Sequence, residues 1–291
     1  MFRQAYDKAS KFTQPLIVTY RFFDKTVDSG LGSFIILNDE GWIMTAAHNL
    51  EVSFAFNQHQ KELKEYQEKV DKINANKQLK DSQRKNLARS IKPNPKWVTD
   101  FMIWFGADGI DIQEFHIYGD HDIALLRIDK KFIQGFNDFP RIKDPNSIKW
   151  GTSLCKLGYP FYSINATFDE ATKKFSFPPN LLPIPRFPIE GMYTRNLIAG
   201  KSQDGTMDIM YLETSSPGLK GQSGGPIFDS EGHIYAIQSK NVTLPLGFKG
   251  TVEINGKKVE ENQFINVGIG VHTQTIVTLL GKHNIKFDIA S

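Results

Sequence analysis

From Leu16 onward the chain sets short runs of apolar, β-branched and aromatic residues between Gly, Asp and Asn, beginning with "PLIVTYRFF", "GSFIILND" and "GWIMTAAH". Runs of this kind, bounded by turn formers, predict strands and hairpins. They resume at "FMIWFGA", "FHIYGD", "DIALLRI", "SLCKLGYP", "FPIEGMYTRNLI", "MDIMYLET", "GHIYAIQS" and "NVGIGVHT". Many short strands with few helical stretches between them predict an all-β sandwich or barrel. A parallel α/β sheet needs a helix between most strands, and none is visible. Residues 5 to 12, ahead of the strands, read as a short polar helix.

Two stretches break the β pattern. Residues 54 to about 91 read as helix, turn, helix: Phe56, Leu63, Tyr66, Val70 and Ile73 form a heptad-like stripe, "NANKQ" supplies a turn, and Leu79, Leu87, Ala88 and Ile91 continue more weakly. "KPNP" ends it, because proline cannot donate and disfavours helix in the residue before it. This is a helical hairpin inserted into a β-domain. It serves either as an inert insertion whose stripe packs on itself or on the barrel, or as a docking arm for a regulatory protein partner. "FSFPPNLLPIPRFPIE" concentrates prolines and must be irregular or polyproline-like, whether it borders a cleft or packs as a stiff loop. Asn255-Gly256 in "VEINGKKVEE" predicts a tight hairpin.

Composition narrows the function classes. A net charge of +3, with Lys and Arg interleaved among acids, lacks the basic stripe of a nucleic-acid binder. No apolar run approaches the ~18 residues that would span a bilayer. Cys155 is the single cysteine, which excludes an intramolecular disulfide and leans towards a reducing compartment. "MFRQAYDKASKFTQPLIVTY" has no uninterrupted apolar core and no small-residue cleavage site, so a cytoplasmic protein is expected. No cofactor and no metal are expected.

The candidate chemistry starts at "KGQSGGPIFDSEGHIYAIQS", where Ser223 lies among glycines. A serine hydroxyl is a poor nucleophile until a base takes its proton and a third group orients that base. Among the histidines, His59 falls in the helical insertion and His283 near the terminal helix, while His116 and His233 lie in or beside strands. His48 ends an apolar strand and follows two alanines, so that a tight turn can aim its imidazole inward. The competing reading is a satisfied core histidine. A sheltered acid is available in Asp122, just ahead of "IALL", a run suited to a strand buried on both faces. Asp120 is the runner-up, and strand alternation points His121 elsewhere. "GQSGG" also fits the nucleophile elbow of α/β-hydrolases, but that elbow needs a helix after the serine, with acid and histidine following; here a proline and a strand follow.

"TAAH", "DIALL" and "GQSGGP", in the order His, Asp, Ser, resemble the three sequence blocks of trypsin-like (chymotrypsin-fold) serine proteases. The resemblance runs over roughly residues 16 to 286. In "SGGPIFDSEGHIYAIQS" it is nearest to bacterial HtrA-like protease domains, and no PDZ-like module is expected to follow. It implies one protease domain over 1–291 made of two six-stranded antiparallel β-barrels. The N-terminal barrel spans about 16–140 with the hairpin inserted at about 54–92, the C-terminal barrel about 147–275, and a terminal helix about 273–286. It further implies Ser223 as nucleophile, His48 as general base and then acid, Asp122 as the group holding its tautomer, and the amides of Gly221 and Ser223 as an oxyanion hole. Ser239 would sit beside the aspartate, and Ser239, Lys240 and Asn241 would pair with a protein or peptide substrate as an added strand.

The chain departs from digestive trypsins at Gln222, which stands where those enzymes carry an aspartate that pairs with a newly cut N-terminus. A neutral amide cannot offset burial of that ammonium group, so activation by N-terminal cleavage is not expected. The resemblance places the specificity pocket over Pro217 and Gly218, walled by Asn241 and the Gly268–Gly270 strand. With no acid at its base, a modest uncharged pocket for a small or medium apolar side chain is expected. His272 could instead favour an acidic residue, but a packed core histidine is the stronger expectation. The expected function is a serine endopeptidase working through an acyl-enzyme. The alternative is a protease-fold binding or scaffold protein, inactive until a partner orders its site.

Overall fold

The computed structural model describes residues 1–254 and 257–291. The first six apolar runs become β1 (Thr13–Phe22), β2 (Val27–Ile36), β3 (Trp42–Thr45), β4 (Val98–Trp104), β5 (Ile112–Tyr118) and β6 (Ile123–Ile128). They form one antiparallel sheet in the order β4-β1-β2-β3-β6-β5. β6 lies inside it, and Ile123, Ala124, Leu125 and Leu126 are all buried, as a two-sided apolar run requires.

The second half of the chain contributes β7 (Arg141–Lys143), β8 (Ser153–Gly158), the small hairpin β9 (Thr167–Asp169) and β10 (Lys174–Ser176), then β11 (Phe187–Lys201), β12 (Asp208–Thr214), β13 (Pro226–Phe228), β14 (Ile234–Ile254), β15 (Lys257–His272) and β16 (Asp288–Ala290). The sheet order is β13-β8-β11-β12-β15-β14-β7-β16, and β13 also pairs with β14, so the first six close on themselves. Six antiparallel strands are expected, and the sheet has eight. β7 joins the start of β14 in parallel register, Ile142 opposite Ile234, and β16 adds to β7, also parallel, with Asp288 opposite Arg141. The reason is burial: each short segment carries one fully buried side chain, Ile142 on β7 and Ala290 on β16. β14 and β15 continue past the ring as a long ribbon whose arms pair up to Ile254 opposite Lys257. The Asn255-Gly256 turn itself lies outside the described residues.

The helices are few. α1 (Arg3–Phe12) buries Ala5, Ala9 and Phe12 ahead of β1, and Phe2 meets Phe228 of the second sheet edge to face. The inserted hairpin is α2 (Glu51–Ala75) and α3 (Asp81–Ser90). Neither helix has a fully buried residue, yet α2 lies along β4: the Phe56 and Phe101 rings are 5.0 Å apart, Tyr66 stacks edge-on with Trp97, and the Val98 amide donates to His59 Nδ1 at 2.9 Å. The stripe therefore covers a barrel edge rather than standing free. The proline-rich segment packs as a stiff loop, with Leu181 and Ile184 in a cluster with Ile17, Trp104, Tyr159 and Ile164. α4 (Thr273–Lys282) closes the second sheet, and His272 caps its N-terminus by accepting the Gln274 amide at Nδ1. Among the described residues no helix is long and apolar enough to cross a membrane.

Candidate active site

β3 and β6 are neighbours, with Thr45 opposite Ala124. The chain leaves β3 through a short 3-10 turn (Ala47–Leu50) that carries His48, and enters β6 from Asp122, so that strand pairing alone brings the two side chains together. Buried Ala46 and Ala47 leave room for that turn. The His48 backbone amide donates to Asp122 Oδ1 at 3.0 Å, and ring Nδ1 lies 3.0 Å from both carboxylate oxygens. Asp122 reaches this position in a left-handed conformation, φ 54°, which short polar side chains tolerate best. Asp120 accepts the amides of His121 and Gln203 instead, and His121 is buried beside Tyr118.

The second sheet supplies a further partner for the carboxylate. The pairing of β14 with β15 shifts between Gln238 and Lys240, leaving Ser239 as a bulge. A bulged residue is freed from the ladder and re-aims its side chain. Ser239 Oγ donates to Asp122 Oδ2. Burial pushes the Asp122 carboxyl up, but the hydrogen bonds and charge of His48 and the Ser239 hydroxyl outweigh it, leaving the group below the usual carboxylate range. The same Asp122 hydrogen bond raises His48 above its ordinary 6.5, against the pull of its partial burial.

Ser223 stands on the turn between β12 and β13, stitched to the first sheet. Its carbonyl accepts the Ser33 amide at 2.8 Å and Asn49 Nδ2 at 3.0 Å, and Ser33 Oγ donates to the Gly221 carbonyl at 2.8 Å. Gly224, at φ 83°, sits where any Cβ would overlap the Ser33 carbonyl oxygen and Thr45 Oγ1. Gly224→Ala is expected to cost about 1–3 kcal/mol, from backbone strain and overpacking, read as a lower urea midpoint with an unchanged slope.

The amides of Gly221 and Ser223 make no hydrogen bond among the described residues. Buried Gln222, between them, pins the loop with its neutral amide: Oε1 accepts the Leu219 amide at 2.9 Å and Nε2 donates to the Phe187 carbonyl at 3.2 Å. Ser223 Oγ points to the Ser239 carbonyl at 3.5 Å, and no hydrogen bond joins it to the His48 ring among the described residues. His48, Gly221 and Ser223 nonetheless line one cleft of about 510 Å³, together with Tyr20, Leu31 and, from α2, Val52.

The remaining expected positions divide. Asn241 Oδ1 accepts the Gly218 amide at 2.6 Å, and its Nδ2 donates back to the Gly218 carbonyl. Pro217 is half-buried beside them, and exposed Lys240 lies over the Tyr211 ring. Gly270 is not at the cleft: a Cβ there would lie 2.6 Å from Ile227 and 2.8 Å from Ala236, inside the barrel core. Sequence reasoning missed Ser33 and Asn49, which carry the loop, and Lys156. The last was visible as a lone charge inside the apolar run "SLCKLGYP".

Residues 31–237 match the family model of the trypsin-like peptidase domain. Among solved structures, the HtrA-type protease AlgW with a tripeptide is 13% identical over 98% of this chain and 64% of its own, with a TM-score of 0.49. A variant of AlgW with a decapeptide is 12% identical over 98% of this chain and 68% of its own, with a TM-score of 0.50. This chain thus spans about two thirds of the length of those proteins. No curated protein matches it. With a family model that takes in β2, β3, β6 and the Ser223 loop alike, the chain belongs to the trypsin-like peptidases.

Proposed function

We propose that this protein is a serine endopeptidase that hydrolyses peptide bonds of protein substrates through His48, Asp122 and Ser223. The observation that carries it is the hydrogen-bonded His48–Asp122–Ser239 group, whose histidine shares one cleft with Ser223, a serine whose own amide and that of Gly221 are unpaired among the described residues. Asp122 holds the proton on His48 Nδ1, which leaves Nε2 basic. Rotation of Ser223 Oγ away from the Ser239 carbonyl brings it to that nitrogen, and apo sites often hold this bond open until substrate arrives. Attack on the scissile carbonyl pushes charge onto its oxygen, which the Gly221 and Ser223 amides receive. His48 then protonates the leaving amine, and water, deprotonated by His48, releases the acyl group.

The substrate backbone joins Ser239, Lys240 and Asn241. β13 pairs with β14 as far as Pro226 opposite Ile237, and Gln238 still bonds Gly224 and Gly225 through its carbonyl and N–H, so from Ser239 onward β14 has no strand partner on that side among the described residues. Gln222 takes over the loop-pinning that an aspartate–ammonium pair performs in digestive enzymes, so no N-terminal cleavage is needed. The single cysteine, buried and with its thiol pushed up to about 12 by that burial, fits a cytoplasmic protein.

The resting position of Ser223 Oγ favours one second reading, a protease-fold binding protein that turns over only when a partner orders the site. Fluorophosphonate labelling separates the two. Wild type is expected to label at Ser223 without added partner, and Ser223→Ala not at all. A wild type that stays unlabelled while folded would assign the cleft to binding.

A further inference from the structure

Lys156, in the middle of β8, is only 1% exposed. Its Nζ donates to the Ser216 carbonyl at 2.5 Å and to Thr214 Oγ1 at 2.9 Å, and a Cβ on Gly268 would lie 2.7 Å from it. These neighbours adjoin the residues expected at the base of the specificity pocket. Ser216 directly precedes Pro217 and Gly218, Gly268 pairs with Asn241, and Asn241 clasps Gly218. An ammonium has three N–H donors, and two have acceptors. Among the described residues no carboxylate comes within ion-pair distance of Lys156, whereas Arg195, on the same barrel, pairs with Glu213. The hydroxyl of Ser216, whose carbonyl Lys156 holds, is also buried without a partner among the described residues.

A buried cation without a counter-ion is costly, and burial pulls Lys156 from 10.5 down to about 7. A purely structural pin for the 215–222 loop would be served as well by an uncharged donor. What a lysine adds is a site for an anion, and the Gly268 position keeps its Nζ free of an intervening side chain. Building on the protease function proposed above, we infer that Lys156 receives an acidic side chain, aspartate or glutamate, on the substrate residue just before the scissile bond. The oxygens of that side chain accept the third Lys156 N–H and the Ser216 hydroxyl. The uncharged pocket expected from residues 217 and 218 is thereby replaced by a basic one whose charge comes from a different strand.

The test is a peptide series identical except for Glu, Gln, Leu or Lys at that residue, cleaved by wild type and by Lys156→Met. Wild type is expected to show kcat/KM at least about tenfold higher for Glu than for its isostere Gln, with a charge-assisted bond lost in the latter. Lys156→Met is expected to bring the ratio near one while still labelling at Ser223. A labelled wild type that cleaves after Gln or Leu as well as after Glu overturns the inference, as does a Lys156→Met protein that keeps the preference. Should that variant not fold, the wild-type Glu-to-Gln ratio decides alone. Should wild type neither label nor cleave, the protease function fails separately. Competition between the same Glu and Gln peptides for binding to the cleft then settles the role of Lys156, with equal affinity overturning it.

Discussion

Ser223→Ala is expected to lose at least ~10³-fold in turnover, about 4 kcal/mol of transition-state stabilisation, with KM little changed. The size follows from the geometry. The alanine removes the hydroxyl of the one serine that lines the cleft with His48 and Gly221 among the described residues, but it leaves the loop intact. Ser33 and Asn49 hold the Ser223 carbonyl, not its side chain, and Gln222 pins the loop from the other side. The variant should therefore bind substrate and fold as wild type does. Adding His48→Ala to Ser223→Ala should cost almost nothing more, because a base without a nucleophile has nothing to activate. Single-turnover kinetics on the three proteins checks both points. Ser223→Ala activity within tenfold of wild type would move the nucleophile elsewhere.

The parts legible in the sequence are those in which local pattern and chemistry coincide. "GWIMTAAH" and "DIALL" each place a titratable side chain beside a largely apolar strand, and two such strands in one sheet bring the pair together. The inserted hairpin was equally visible, since its stripe repeats at helical spacing and ends at prolines. The parallel additions β7 and β16 were not. Three-residue strands carry no period, and what holds them is burial of Ile142 and Ala290 by a distant part of the chain. Gly270 misled for a related reason: strand alternation cannot tell a cleft wall from a barrel interior when both faces are apolar. Lys156 required the strand order itself, because only the closure of β13, β8 and β11 carries a residue near position 156 beneath a loop near position 216. The rotamer of Ser223 is likewise a matter of neighbours that no local pattern encodes.

Asp122→Asn is expected to lower kcat by about 10⁴-fold while leaving the fold in place. The carboxylate accepts from three donors, the His48 amide, His48 Nδ1 and Ser239 Oγ. An asparagine has one acceptor oxygen, and its NH₂ offers donors where His48 must donate. With the amide nitrogen towards the ring, His48 Nδ1 becomes the acceptor and the proton moves to Nε2, the nitrogen that must be empty to take the Ser223 proton. The pH profile gives the second sign. In wild type kcat/KM should rise with pH through an apparent value above 6.5, because the Asp122 hydrogen bond raises His48 and only the neutral ring is a base. Removing the negative charge removes what holds the proton, so the acid limb of Asp122→Asn should move to lower pH even as its plateau falls. Ser239→Ala, which deletes one donor and leaves the charge, should shift that limb slightly upward and reduce kcat far less. If Asp122→Asn kept its acid limb where wild type has it, the limb would belong to a group other than His48, and the base of this cleft would have to be sought again.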